Sequence, residues 1–365
     1  MLLNMASILQ YSSSNSRKRR FLQLFVTILS FHFMGRSFDL LQRYNFLLAV
    51  LNSYETVYSL FPRINTEFST ETPMFWEGED VYKGMCLHSI RFLQTSGETP
   101  QTFESMYYLV EQDLNVLPAK LSKRNKLLMT LMWLRTYNTY YSLSVVFKVS
   151  ITDISRCVNN VWPVLFRVFG AKVSWPTHNE WIQMRQNWPR LEGVVGAIGG
   201  TSHVVLVPGS DQHLYFSGHR RYHCVHTQII IDNCSKIRYI KSGFLGHNND
   251  AYCYGKLPNI GENQELHLPK DCWILADGIY PARPPLLTPY RCNQLMRRNY
   301  NDFANRTKFN LELRTHRVYI EHVIGYLKHY KIIGSIYRHD IKNLDRIVLL
   351  CASLSQRRLE MFNSV

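Results

Sequence analysis

Gly-Ala-Ile-Gly-Gly-Thr-Ser-His (196–203), Leu-Ala-Asp-Gly-Ile-Tyr-Pro (275–281) and His-Arg-Val-Tyr-Ile-Glu-His-Val-Ile-Gly-Tyr-Leu-Lys (316–328) decide how the C-terminal half of this chain is read. The first lies in a β-rich run over 194–207. Two more runs, 225–232 and 237–244, follow through short connections, so the three predict an antiparallel meander. The second stretch ends a short apolar strand, 272–276, directly at Asp277. The third belongs to a helix over 314–330 that carries Glu321. Three strands, an insertion, a further strand closing on a carboxylate and a late helix bearing another predict a mixed α/β region.

Upstream the period is helical. Residues 122–136 place Leu127, Leu128, Leu131 and Leu134 on one helical face, and a short helix over 142–147 follows. After a turn at Lys148-Val149 a third helix begins at Ile151, with Ser150 as its cap and Asp153 completing a capping box. A short middle helix and a tight turn suggest a helix-turn-helix whose third helix reads DNA. Its exposed positions would be Thr152, Asp153, Ser155, Arg156 and Asn159, with Ile154, Val158 and Val161 as core and Pro163 kinking or ending it. Short polar side chains with Arg and Asn suit base-edge and phosphate contacts; an ordinary helical bundle is the alternative. Further helices are expected over 21–33, 38–54 and 101–114.

At 365 residues, with 46% apolar and 13% aromatic side chains, the composition is globular and allows more than one unit. Lys and Arg number 42 against 27 Asp and Glu, a surplus that favours a polyanionic partner. The eight cysteines show no Cys-x-x-Cys pair, which fits reduced thiols in a cytosolic or nuclear compartment. His219, His223, Cys224 and His226 cluster without a familiar zinc spacing. The basic cluster Arg17-Lys18-Arg19-Arg20 precedes an apolar stretch too short to span a bilayer, so no membrane partner is expected. That cluster can serve as an import signal, a phosphate-contacting arm or a solvated charge run. Arg297, Arg298, Arg306 and Lys308 make the loop after Tyr290 basic, and Lys328, Lys331, Arg338 and Lys342 extend that surface.

The blocks resemble those of PIF/Harbinger-type transposases and the host proteins derived from them, members of the DDE superfamily. The first family block, Gly-x-x-Asp-Gly-Thr-His, is matched by Gly196-Ala197-Ile198-Gly199-Gly200-Thr201-Ser202. Leu-Gly-Asp-x-Gly-Tyr-Pro is matched by Leu275-Ala276-Asp277-Gly278-Ile279-Tyr280-Pro281, with both family glycines replaced, and Leu-Leu-Thr-Pro-Tyr follows at 286–290. The third block, an Asn before an Arg-x-x-x-Glu helix ending in Leu-Lys, runs from Asn310 through Arg317 and Glu321 to Lys328. Gly246-His247-Asn248-Asn249-Asp250 matches a Gly-x-x-His-Asp block less cleanly. The resemblance covers roughly residues 120–360. It implies three parts: a helical N-terminal region (1–115), a helix-turn-helix-like DNA-binding segment (116–190) and an RNase H-like DDE endonuclease domain (191–360). It also implies DNA as partner, a separate Myb-like protein supplying DNA recognition and nuclear entry, and a nuclear location.

In that superfamily three acidic side chains hold two divalent cations, Mg²⁺ or Mn²⁺, one activating water and one stabilising the leaving oxygen. Hard cations need such oxygen ligands. Asp277 and Glu321 stand at two stations, while the first, whose carboxylate bridges both ions, holds Gly199. The expectation is therefore a catalytically impaired, DNA-binding descendant. Asp250, in a family-like block, and Asp232, at the end of the second strand, are the candidates to fill the vacancy in an active nuclease. A protein-interaction module on a retained nuclease fold is the third reading. His203, next to the first station, is expected to be accessory or structural.

Overall fold

The computed structural model describes residues 80–170, 173–188, 190–295 and 300–363. The helices expected over 21–33 and 38–54, the cluster Arg17-Lys18-Arg19-Arg20, and Arg297 and Arg298 lie outside the described residues.

Helices come first: α1 (Val81–Cys86), α2 (Ser89–Ser96) and α3 (Pro100–Val110), the last continued by a 3₁₀ turn, Glu111–Leu114. Gly97 ends α2 at φ 82°, a left-handed conformation glycine adopts without a Cβ clash. Pro100 opens α3 behind a reciprocal capping box between Thr99 and Thr102. Helix α4 (Lys123–Thr136) is buried on every side from Asn125 to Leu134, so the expected single apolar face is too narrow a description. Helix α5 (Tyr140–Phe147) starts two residues before the expected 142, behind the Thr139 cap. Lys148, at φ 52°, turns the chain into α6 (Ile151–Phe169).

Only half of the expected capping box at α6 forms. The Ser150 side chain accepts from the Asp153 N–H at 3.1 Å, but the Asp153 carboxylate pairs with Lys120 Nζ at 3.8 Å. Pro163 does not end α6, which runs on to Phe169. Asn159 and Pro163 are both exposed, so water can satisfy the Asn159 carbonyl that Pro163 leaves without an N–H.

The sheet region opens after α7 (His178–Met184), capped by Thr177 and Glu180. It comprises β1 (Val194–Val204), α8 (Gln212–Tyr215), β2 (Phe216–Ser217), β3 (Tyr222–Asp232), β4 (Ile237–Leu245) and α9 (Asp250–Tyr254). Then follow β5 (Ile260–Gly261), β6 (Leu266–His267), β7 (Trp273–Leu275), β8 (Leu286–Leu287) and α10 (Cys292–Leu295). The chain closes with α11 (Tyr300–Leu327), α12 (Lys331–Gly334), a 3₁₀ turn (Ile341–Asn343) and α13 (Leu344–Asn363).

Strands β1, β3 and β4 form the expected antiparallel meander, with Gly199 opposite Ile229 and Gly200 opposite Gln228. Strand β7 joins β1 in parallel and β8 joins β7 in parallel, giving a mixed sheet. This delivers the residues just after β7 to the centre of the sheet. One face packs on α11 through Ala197, Ile229, Ile320 and Ile324. The other carries a second core around Trp181, Ile198, Ile230 and Ile274. Apolar packing continues without a break from the helices into this sheet, and Ile237 N–H donates to Gln356 Oε1 of α13 at 3.0 Å.

Candidate active site

Strand β7 ends at Leu275, and Asp277 follows in a turn closed by Tyr280 N–H donating to the Asp277 carbonyl at 3.0 Å. Asp277 Oδ1 accepts from the Gly278 N–H at 2.5 Å, leaving Oδ2 to face α11. Glu321 projects from α11, and Arg317 lies one turn before it. Arg317 Nη2 is 2.8 Å from Glu321 Oε1 and 3.3 Å from Asp277 Oδ2. One guanidinium nitrogen thus joins the two candidate carboxylates. The arginine side chain is the inner member, 21% exposed against 56% and 53% for the acids.

Asn310 holds the neighbouring loop. Its amide accepts from the Tyr290 N–H at 2.8 Å and donates to the Tyr290 carbonyl at 2.9 Å, clamping the end of the 286–290 block against α11. Arg291 reaches back to the Gly278 carbonyl at 3.3 Å. Arg306 stacks over the Tyr290 ring with 5.0 Å to the centroid. Through these contacts the Leu286–Tyr290 and Asn310 motifs fix the Asp277 turn to the helix that bears Glu321.

Gly199 and Gly200 project to opposite faces, as neighbours in a strand must. A Cβ on Gly199 would lie 2.8 Å from Ile320 Cγ1 and 3.5 Å from Ile324 Cδ1, so the first station abuts an apolar wall on α11. A Cβ on Gly200 would instead meet Asp250 Oδ1 at 2.1 Å, and only glycine leaves room for that carboxylate. Asp250 Oδ1 accepts from Gln228 Nε2 at 2.8 Å, and Gln228 Oε1 accepts from the Tyr280 hydroxyl at 2.6 Å. Burial, with the Asp250 charge second, holds the Tyr280 phenol well above its ordinary range.

The structure therefore does not bring Asp250 to Asp277 and Glu321. It holds Asp250 on the sheet face away from α11. Asp232 is likewise committed elsewhere: fully buried, it closes the β3–β4 turn by accepting from Cys234 and Lys236 N–H groups at 2.9 Å and pairs with Arg238 Nε at 2.7 Å. Among the described residues no three His, Cys, Asp or Glu side chains converge to hold a metal. Mg²⁺ takes only one or two protein carboxylates and completes its octahedral shell with water, so Asp277 and Glu321 are the residues that would hold a divalent ion, on the side where Arg317 contacts both. Gly199 offers no side-chain oxygen to bridge two such ions.

His203 is structural, as expected. It is fully buried, Nδ1 donates to the Ile333 carbonyl at 2.9 Å, and Nε2 lies 3.0 Å from the Thr227 hydroxyl. Burial pulls its pKa down to about 4, so it is a neutral tie between β1 and α12. His226 donates from Nε2 to the Gly246 carbonyl at 3.0 Å with Cys224 Sγ at 3.8 Å, and His223 sits edge-on to Phe216, so the His/Cys cluster forms no ligand set. Lys328 is half-buried, which with Arg220 nearby lowers its pKa. Arg338 is anchored by its Nη2 to the Tyr137 carbonyl at 2.6 Å.

On α6, Thr152, Arg156 and Asn159 are exposed along one side, while Ser155 is half-buried and accepts from Asn159 Nδ2 at 3.3 Å. Ile154, Val158 and Val161 are fully buried, as expected. Asn159 also borders a small cavity with Trp133, Trp162, Tyr337 and His339, where the 337–343 segment docks onto the helices. Trp133 Nε1 donates to His339 Nε2 there at 3.3 Å. The residues that sequence reasoning missed are Ile320 and Ile324 as the wall behind Gly199, and Gln228 as the holder of Asp250. The i,i+4 spacing of Arg317 and Glu321 signalled their pairing, but nothing local signalled the reach of Arg317 to Asp277.

Comparison with known proteins agrees with this geometry. The family described as "DDE superfamily endonuclease" matches residues 198–356. "Helix-turn-helix of DDE superfamily endonuclease" matches residues 119–170. The chain carries a DDE superfamily endonuclease domain and the helix-turn-helix of that superfamily. It is 26% identical over 270 residues to "Probable transposase for insertion sequence element IS702" of Microchaete diplosiphon, covering 71% of this chain and 91% of that protein. It is 25% identical over 146 residues to "Putative nuclease HARBI1" of Xenopus laevis and 24% over 144 residues to that of Rattus norvegicus. Each HARBI1 match covers 39% of this chain and 41% of the relative, so the likeness spans about two fifths of those proteins. No solved structure gives a significant match. The superfamily ordinarily uses divalent ions, so the departure that matters is Gly199, while Arg317 and Glu321 keep the Arg-x-x-x-Glu spacing. No described helix is long and apolar enough to cross a membrane.

Proposed function

We propose that this chain is a transposase-derived protein of the PIF/Harbinger branch that binds DNA through α6 and no longer cleaves phosphodiester bonds at enzymatic rates. One observation carries the reading. The first station is a glycine packed against Ile320, and neither Asp250 nor Asp232 comes to Asp277 and Glu321 in its place. Removing a member of a catalytic unit costs about as much as removing the whole of it. An active nuclease rebuilt on Asp250 has no support in this geometry.

DNA binding is supported by the matched helix-turn-helix, by the exposed Thr152, Arg156 and Asn159, and by the surplus of 42 basic over 27 acidic residues. The RNase H-like description of the sheet, a nuclear location and a Myb-like partner belong to the same proposal. They follow from the resemblance to PIF/Harbinger proteins.

The test is fluorescence anisotropy with duplex DNA across a salt series, alongside plasmid nicking with Mg²⁺ or Mn²⁺. Binding should weaken linearly on a log–log plot, and Arg156→Ala should reduce that slope by about one. Absence of salt-sensitive binding would favour the protein-interaction reading. Metal-dependent nicking lost in Asp277→Ala would favour the active nuclease.

A further inference from the structure

We propose that the corner between α2 and α3 binds a small monovalent anion of halide size through Arg135, Arg358 and the Tyr330 hydroxyl. The inference is independent of the DNA-binding reading.

Gly97 builds the corner, turning the chain out of α2 at a left-handed φ of 82°. A Cβ there would lie 3.3 Å from Tyr330 Oη, 3.4 Å from Arg135 Cδ and 3.6 Å from Arg358 Nη1. Side chains from the end of α4, the turn between α11 and α12, and α13 therefore converge on one point. Glycine keeps that point clear.

Two donors there lack an acceptor. Tyr330 is fully buried, yet its hydroxyl bonds to nothing among the described residues. Arg135 Nη1 is buried and equally unpartnered, with the guanidinium carbon 5.5 Å from the Tyr330 ring centroid. Such groups are expensive to leave without a partner.

Charge decides what the partner is. Arg357 pairs with the fully buried Glu98 at 3.4 Å. Arg358 is also buried, but it donates to the Gly97 carbonyl at 2.6 Å and to the Tyr326 hydroxyl, neither of which carries charge. Among the described residues neither Arg135 nor Arg358 has a carboxylate at ion-pair distance. Three guanidinium groups thus surround one carboxylate, and an interior surplus of positive charge is costly. Burial and the Arg358 charge together push the Arg135 guanidinium below its ordinary range.

A water molecule satisfies the hydroxyl and leaves the charge unbalanced; an anion does both. Glu98 Oε1, itself without a partner, limits the guest to a small single charge, because a phosphate dianion would be pressed against that carboxylate.

The experiment is thermal unfolding of the full chain in sodium chloride and in sodium gluconate at one ionic strength, so that screening is constant. Gluconate is too large for the corner. The native midpoint should rise on the order of 2 °C once chloride reaches about five times its Kd, and the rise should saturate. Arg135→Gln should raise the half-saturating chloride concentration by about tenfold or more. Tyr330→Phe, which keeps the ring and removes only the hydroxyl, should raise it about fivefold.

A native midpoint that does not distinguish chloride from gluconate would overturn the proposal. So would a chloride response retained unchanged in both variants. A Tyr330→Phe midpoint shifted equally in the two salts would show that the hydroxyl meets water alone, which also defeats it. If Arg135→Gln does not fold, Tyr330→Phe decides by itself.

Discussion

Replacing Gly199 with aspartate supplies the missing family residue, yet the structure predicts that the substitution alone damages the fold. Its Cβ would stand 2.8 Å from Ile320 Cγ1, a branch atom of a fully buried side chain on α11. Overpacking of this kind costs about 1–3 kcal/mol. Lodging a carboxylate against Ile320 and Ile324 adds about 1–3 kcal/mol for lost solvation. Gly199→Asp should therefore lose about 2–6 kcal/mol. Ile320→Ala, which empties a fully buried site, should lose about 2–5 kcal/mol. In the double variant the alanine leaves room for the aspartate. The combined loss should then fall short of the sum by at least about 1 kcal/mol, as coupled neighbours do. Urea unfolding of the four proteins measures the cycle. Thermal midpoints, moving roughly 2–4 °C for each kcal/mol, give an independent check. Additivity within about 0.5 kcal/mol would refute the claim that Ile320 fills the place of the lost carboxylate, as would a fully stable Gly199→Asp that restores cleavage by itself.

Two buried polar groups give further tests. His203 has a folded pKa of about 4, below the ordinary 6.5, so the neutral imidazole is the native form. The unfolded chain takes up a proton first as pH falls below 6.5. Stability should accordingly drop between pH 6.5 and about 4 and level off beneath, with His203 contributing about 3 kcal/mol of the loss. His226, His329 and His339 are lowered in the same direction and steepen the curve. His203→Gln should flatten it over that window by the His203 share, and an unchanged pH profile would show that the ring is not held neutral. Asp232→Ala strands the nearly buried Arg238 and should cost about 3–5 kcal/mol in urea unfolding. A stable Asp232→Ala protein would mean that the β3–β4 turn does not depend on this pair.

Much of the fold could be read from local chemistry. Ile229, Ile230 and Ile231 mark β3 by β-branching alone, and Ser150 announces α6 through the N–H it caps. Asp232, read only as the end of the second strand, closes the β3–β4 turn through the Cys234 and Lys236 N–H groups. Pro163 does not end α6, because water can replace the missing N–H at the exposed Asn159 carbonyl.

The pairing of Asp277 with Glu321 was legible from the ordered blocks, but the contacts that join them were not. Asp277 and Arg317 are far apart in sequence, and the parallel β1–β7 pairing that brings them together leaves no local trace. The separation of Asp250 from α11 follows from one residue of strand register: Gly199 faces the helix, and Gly200 faces Asp250. Motif spacing carries no information about which side of a sheet a carboxylate occupies.

If the Asp277–Glu321 pair no longer supports metal-dependent cleavage, plasmid nicking with Mg²⁺ and with Mn²⁺, by the native chain and by Asp277→Ala, shows it most directly. Equal, background-level nicking by both proteins is the expected result. Nicking by the native chain that disappears in Asp277→Ala would contradict it.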